Sequence, residues 1–348
     1  MRAIIKTAPE PGASFVSDFP EPEPKEDEVL IEVHAASVCG SDREFYRWGS
    51  AAKSFPMQFP RVLGHEGSGV ILEVGAAVTS LKAGDRVAID SHAPCGSCFQ
   101  CRIGNGHNCD HMRLLGNDLN GVFAERTALP SSMVTRIPDD MPFEIGALLE
   151  PAGVAWHAMQ RANKQIGANI VLISGCGPIG LLAIEYAKIL GAAEVIAIEP
   201  NSFRRNLASD RGATTFAPGN DVLEYIQSKY SYRGGVDIVF EVSGASQAYP
   251  TLLKALRKGG RLVTIGHPNS PITLDVPRLI NKREITVQGI FGRLLWNTWE
   301  DLMALIQGGR IDLGSLITDR LPLGELGPVI DMLSGNSNKV VMYPQGLA

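Results

Sequence analysis

Over the first 155 residues the apolar positions fall in short runs rich in Val and Ile: VLIEVHAASV at 29–38, GVILEVGAAV at 69–78 and DRVAID at 85–90. Partial alternation bounded by Pro and Gly predicts half-buried strands of a β-rich domain. From Ile166 the texture changes. The stretch NIVLISGCGPIGLLAIEYAKILGAAEVIAIEP at 169–200 reads as strand, glycine turn, helix, glycine stop and strand, one βαβ unit. VDIVFEV at 236–242 and GRLVTIG at 260–266 have the continuous apolar character of buried strands, and the LEYIQSKY and YPTLLKALRK segments in front of them look helical. Such repetition of helix and strand predicts a parallel sheet. Beyond Phe291, TWEDLMALIQGG predicts a helix and KVVMYP a last strand that rejoins the first domain.

Composition narrows the function classes. A chain of 348 residues has the length of two domains. With 45% hydrophobic and 20% charged residues it is globular and not disordered. The net charge of -5, from 32 Lys plus Arg against 37 Asp plus Glu, leaves no basic surplus for a phosphate backbone, so no nucleic-acid partner is expected. No apolar stretch approaches the roughly 18 residues of a bilayer span. The start, MRAIIKTAPEPG, lacks the apolar segment of a signal peptide, so the expectation is a cytoplasmic protein with no membrane partner.

Gly175, Gly177 and Gly180 form GxGxxG between the apolar run IVLIS and the helical LLAIEYAKIL. The three glycines serve a tight turn, backbone approach to a pyrophosphate and close helix-to-strand packing, while the helix N-terminus attracts the anion. Pro178 and Ile179 complete this cofactor-binding turn. Glu199 ends the second strand, 19 residues after Gly180, where an acidic side chain accepts from ribose hydroxyls and repels a 2′-phosphate. The expected cofactor is therefore NAD, not NADP. Arg204, five residues further on, is either a cover for the adenine end or an ordinary exposed helix residue.

Four of the six cysteines, Cys95, Cys98, Cys101 and Cys109, are spaced C-x2-C-x2-C-x7-C. In a reducing compartment such a cluster reads as a metal site rather than disulfides. Four thiolates satisfy tetrahedral zinc and leave no open position, which is a structural site; an iron–sulfur cluster or unligated thiols are the alternatives. Further ligand candidates are scattered: Cys39 in VCGSD, His65 and Glu66 in LGHEGSGV, and Glu150 in LLEPAG. Taken singly, each is equally compatible with a packed core residue or a helix-face charge.

Together, VCGSD, GHEGSGVILEVG, GDRV, the four-cysteine lobe, GCGPIG and the closing strand resemble the zinc-dependent medium-chain alcohol dehydrogenase family over nearly the whole chain. The segments DSHAPCG and IFGRLLWNTWEDLMALIQGG are most similar to its threonine dehydrogenase branch, with sorbitol and other polyol dehydrogenases next. The resemblance implies an α/β protein in which a GroES-like β-rich catalytic domain is interrupted by a Rossmann domain, a doubly wound parallel sheet. The expected divisions are 1–155, with a structural-zinc lobe at about 91–112, then 156–290, then a return to the catalytic domain over 291–348. It further implies two zinc ions per chain. Cys39, His65 and Glu150 would bind the catalytic one, with Glu66 beside it as an alternative or supporting carboxylate, leaving one position for water or substrate.

The activity implied is NAD-dependent oxidation of a secondary alcohol to a ketone on a small polar substrate. A threonine-like β-hydroxy amino acid is favoured over a polyol, cyclitol or amino-cyclitol; a zinc- and NAD-binding module without turnover is the reading from another class. Ser41 matches the family's hydroxyl relay position. Glu44 stands where many relatives have the next relay histidine, which changes the charge of the pocket. His92 matches a substrate-pocket histidine, or is a surface histidine at the entrance to the lobe. Arg293 and Trp296 are read as cleft residues or as the start of a packed helix, with Arg293 and Glu44 suited to the two charges of an amino acid. The family also implies a homo-oligomer, a dimer or tetramer.

Overall fold

The computed structural model describes residues 1–55, 57–162, 166–268 and 270–347. The chain forms two compact units, Met1–Pro151 with Asp312–Ala348, and Ala152–Ile311. The return comes at Asp312 and not at 291, because the helix Asn297–Gln307 belongs to the second unit. Its Trp299 is buried with Arg293, and both crowd Gly153, where a Cβ would lie 2.6 Å from the Arg293 side chain and 3.0 Å from Trp299 Nε1.

In the first unit the expected strands are Glu28–Ser37, Glu66–Val74 and Arg86–Ile89, and they lie side by side in antiparallel order. Their inward Val and Ile residues join Phe123, Leu129 and Met342 in one core, as period-two patterning requires. The last strand, Lys339–Tyr343, pairs with the end of Glu28–Ser37 and, in parallel, with Ile317–Pro322. The tail therefore rejoins the first unit, as KVVMYP predicts.

The second unit is a parallel six-stranded sheet. Its order is Thr214–Phe216, Glu194–Ile198, Ile170–Ser174, Val236–Glu241, Leu256–Thr264 and Thr286–Gly289. The order reverses at the first strand of the unit, Ile170–Ser174, which is the doubly wound dinucleotide-binding topology, and crevices at such switch points take ligands. One helix is shorter than the pattern predicts. YPTLLKALRK is helical only over Tyr249–Ala255, and Leu256 already pairs with Val236. Arg257 Nε donates to Asp237 at 2.6 Å, which draws the LRK triplet into the sheet.

The 19-residue helix Phe143–Arg161 has no clear sequence period. It is apolar nearly all round, with Ala147, Leu148, Leu149, Ala152, Ala155 and Ala158 all buried, and it contains Pro151. Among the described residues no helix is long and apolar enough to cross a membrane.

Candidate metal centres and cofactor site

The neighbouring strands of the first unit assemble the catalytic candidates. Ser37 is in register with Glu66, and Ser37 also opposes Val341, two residues after Lys339. Strand ends from positions 37, 66 and 339 therefore meet at one place. Cys39 follows as the N-cap of the helix Gly40–Arg47, and Asp42, at the third helical position, accepts from the Cys39 N–H at 2.8 Å through Oδ2. The same carboxylate reaches His65 Nδ1 through Oδ1 at 3.4 Å. Asp42 thus caps the helix and orients the histidine, as an acidic partner commonly does for a metal-ligating imidazole. Burial opposes a charged His65, but Asp42 and then Cys39 outweigh it and raise its pKa well above the usual value.

Cys39, His65 and Glu66 place a sulfur, a nitrogen and an oxygen within 4.8 Å of one another. Glu66 is fully buried; Ser37 Oγ and Lys339 Nζ both donate to its Oε2, while its Oε1 has no hydrogen-bond partner among the described residues. A buried carboxylate oxygen without a partner, beside a thiol and an oriented imidazole, is the donor set a zinc ion would complete. Glu66 is thus the carboxylate within this cluster. Glu150 is buried nearby, but its Oε1 accepts from Ser91 Oγ at 2.6 Å. Its charge still acts on both Glu66 and Lys339.

Lys339 was not singled out by the sequence, since a lysine opening a terminal strand carries no motif. Burial alone would lower its pKa; Glu66, Cys39 and Glu150 together reverse that and raise it. Asp42 had a readable signal in the spacing C-x-x-D at a helix start.

The other predicted residues distribute as follows. Ser41 Oγ lies 3.3 Å from His65 Nε2. Glu44 folds its carboxylate onto the end of its own helix, where a Cβ on Gly49 would strike it. His92 is buried, not at the surface: its ring Nδ1 is 2.9 Å from Ser91 Oγ and 3.6 Å from Asp90 Oδ1. Arg293 is buried in the second unit, with its guanidinium 5.8 Å from the Trp299 ring centre. Trp296 precedes the helix Asn297–Gln307 and stands edge-on to Trp299 at 5.7 Å.

Cys95, Cys98, Cys101 and Cys109 converge within the same 4.8 Å limit. Backbone N–H groups aim at the sulfurs: Cys95 N to Cys109 Sγ at 3.2 Å, Cys98 N to Cys95 Sγ at 3.4 Å and His111 N to Cys109 Sγ at 3.3 Å. Donors from Ser97 and Cys98 lower the Cys95 pKa to about 6, which favours the thiolate that binds metal. The lobe is a closed all-sulfur zinc site, where the metal supports the fold.

In the second unit the glycine turn joins Ile170–Ser174 to the helix Pro178–Ile189, with Gly177 as N-cap and Pro178 at its start. Nothing lies within 4 Å of the place a Gly177 side chain would occupy, and a Cβ on Gly180 would overlap the Gly175 carbonyl. Open space at the second glycine and contact at the third are what pyrophosphate approach and helix packing each require. Ile179 lies in the first turn of that helix. Glu199 is buried beside the turn, accepting from Cys176 N at 2.8 Å and Asn201 N at 2.9 Å. Arg204 is bound through its backbone to Asn201, and its charge reaches Cys176. Arg205, not singled out by the sequence, donates to the Glu199 carbonyl at 2.8 Å.

Residues 25–139 match the alcohol dehydrogenase GroES-like domain and residues 178–308 the zinc-binding dehydrogenase domain. The chain is 38% identical over 347 residues to L-threonine 3-dehydrogenase of Bacillus velezensis, covering 99% of each protein. Among solved structures it resembles 2R,3R-butanediol dehydrogenase from Bacillus subtilis, at 27% identity and a TM-score of 0.88 over 99% of both chains. It also resembles galactitol-1-phosphate dehydrogenase from Escherichia coli, at 27% identity and a TM-score of 0.88, over 99% of this chain and all of the other. The chain belongs to the zinc-dependent medium-chain alcohol dehydrogenase family. It is a zinc-containing, nicotinamide-dependent oxidoreductase that acts on the CH–OH group of a small alcohol.

Proposed function

We propose that the substrate is a threonine-like β-hydroxy amino acid, oxidised at its secondary hydroxyl with NAD as acceptor. The observation that carries this reading is the full-length 38% identity to L-threonine 3-dehydrogenase. Zinc held by Cys39, His65 and Glu66 would supply a Lewis acid that makes a substrate hydroxyl more acidic, and NAD a hydride acceptor. The Ser41 hydroxyl would accept the substrate proton and pass it on, a reading supported by its 3.3 Å distance from His65 Nε2. Asp42 holds His65, and Lys339 with Ser37 hold Glu66, so the donor atoms are set before substrate arrives. In the second unit, Gly175, Gly177, Pro178, Ile179 and Gly180 would cradle the pyrophosphate. Glu199 would take the ribose and Arg204 would flank it.

A polyol is the second reading. It is favoured by the likeness to the butanediol and galactitol phosphate enzymes. The cysteine-rich zinc lobe suits a reducing cytoplasm, and we expect a homo-oligomer there. An oxidation panel with NAD, covering threonine, sorbitol, xylitol, inositol and amino-cyclitols, tests the assignment. Turnover confined to threonine supports it, turnover confined to polyols reverses it, and an inert protein with both zincs bound favours a module without catalysis.

A further inference from the structure

Glu241 ends the strand Val236–Glu241 and lies in register with Ser174, the residue before the glycine turn. On the other side, Ser174 is in register with Ile198, and Glu199 follows. Two acidic residues thus flank the switch point of the sheet, one on each side. A dinucleotide crosses such a crevice with one half on each side. With Glu199 taking the adenosine ribose, the nicotinamide half lies on the side of Glu241.

Glu241 is fully buried. Its Oε1 accepts from Ser243 N at 2.9 Å, from Gly244 N at 3.0 Å and from the Ser243 hydroxyl, and the Tyr249 hydroxyl bonds to the same carboxylate. The turn held in this way packs on the first glycine of GxGxxG, where a Cβ on Gly175 would lie 2.9 Å from Ser243 Cβ. All these donors are neutral, and among the described residues no cation pairs with Glu241. Asp237, earlier on the same strand, shows the contrast: Arg233 at 2.9 Å and Arg257 at 2.6 Å neutralise it. Burial raises the Glu241 pKa, with the Ser243 and Gly244 donors acting against it. A buried carboxylate without a counter-ion is costly, and beside a ligand crevice such a charge points to a function. The oxidised nicotinamide ring is a cation and the reduced ring is neutral, so the cofactor brings the missing charge in one redox state only.

We propose that Glu241 sets the preference of this site for the oxidised over the reduced cofactor, its buried charge favouring the nicotinamide cation. The effect needs no contact: two unit charges roughly 10 Å apart, at an effective dielectric constant of about 20, change an affinity by about tenfold. The inference rests on the nicotinamide dehydrogenase reading above and does not depend on which alcohol is oxidised.

The test uses the zinc-loaded full chain in mildly alkaline buffer and measures affinities for NAD and ADP-ribose by calorimetry and for NADH by its fluorescence. Glu241→Gln removes the charge and keeps the shape. It should lower the affinity for NAD relative to NADH by about tenfold and leave that for ADP-ribose, which has no nicotinamide, within about twofold. Glu241→Asp, which keeps the charge, should hold the native ratio. An unmoved ratio in Glu241→Gln overturns the proposal, as do equal losses for all three ligands, which would confine Glu241 to shaping the turn. A ratio displaced as far in Glu241→Asp overturns it too, and that variant decides alone where Glu241→Gln does not fold. A native protein that binds neither NAD nor NADH removes the dehydrogenase reading and the proposal with it, whereas a fixed ratio in a protein that binds both removes the proposal only.

Discussion

Lys339, the first residue of the closing strand, donates to one oxygen of Glu66, a member of the metal-ligating cluster whose other oxygen has no hydrogen-bond partner among the described residues. A residue near the end of the chain thus supplies the cation that balances Cys39, Glu66 and Glu150 in a dry interior. Removing one member of a buried ion pair leaves the other charge unpaired, at a cost of about 3–5 kcal/mol. Lys339→Met should lower stability on that scale and release the catalytic zinc while the four-cysteine site keeps its own. Denaturant unfolding together with zinc analysis reads both effects. Unchanged stability and zinc content would show that the pair is not needed.

Glu66 and Glu150 should separate in zinc-binding experiments. Loss of a group supporting a metal site weakens affinity by about 10- to 100-fold, which is the effect expected of Glu150→Gln. Glu66→Gln should cost more, because it alters a donor atom. Competition with a chromophoric chelator measures both; a larger effect at Glu150 would transfer the ligand role to it.

The preference for NAD should depend on the Glu199 charge. Glu199→Ser removes the repulsion toward a 2′-phosphate and leaves Arg204 and Arg205 nearby as cations. The ratio of kcat/KM for NAD to that for NADP should fall by about tenfold or more, corresponding to ~1.4 kcal/mol. Parallel kinetics with the two cofactors check this, and an unmoved ratio would mean that backbone anchoring is the whole role of Glu199.

Away from the sites, Glu144 accepts from Arg320 Nε and Nη2, each at 2.8 Å, and from Tyr343. The Arg320 hydrogen bonds lower the Glu144 pKa, with burial acting against them. A carboxylate with a depressed folded-state pKa adds stability above its unfolded value, near 4.3. That stability is lost as pH falls through the folded value. Since Arg320 is half exposed, Arg320→Met should cost no more than about 1 kcal/mol at neutral pH. The difference from the native protein should vanish in acid well below the usual carboxylate range, as unfolding curves at several pH values would reveal.

Several features were legible because local chemistry forces them. The spacing of Cys95, Cys98, Cys101 and Cys109 lets one short lobe gather four sulfurs, and GxGxxG between an apolar strand and a helix builds its turn from neighbouring residues alone. Buried strands such as Ile170–Ser174 and Val236–Glu241 show in continuous apolar runs, since both faces of a covered parallel sheet are dry. The helix Phe143–Arg161 was not legible, because a helix buried all round shows no stripe.

What the sequence could determine by itself was therefore the set of chemical parts: a closed thiolate lobe, a dinucleotide turn, and the thiol, imidazole and carboxylates able to hold a second metal. Only the tertiary structure decided that Glu66 lies with Cys39 and His65, that Lys339 is their counter-ion, and that Ser91 ties Glu150 to His92. The physical reason is range. Turns and knuckles are fixed by bonds a few residues apart, whereas Lys339 and Glu66, 273 residues apart, meet only because strand register brings them to one place.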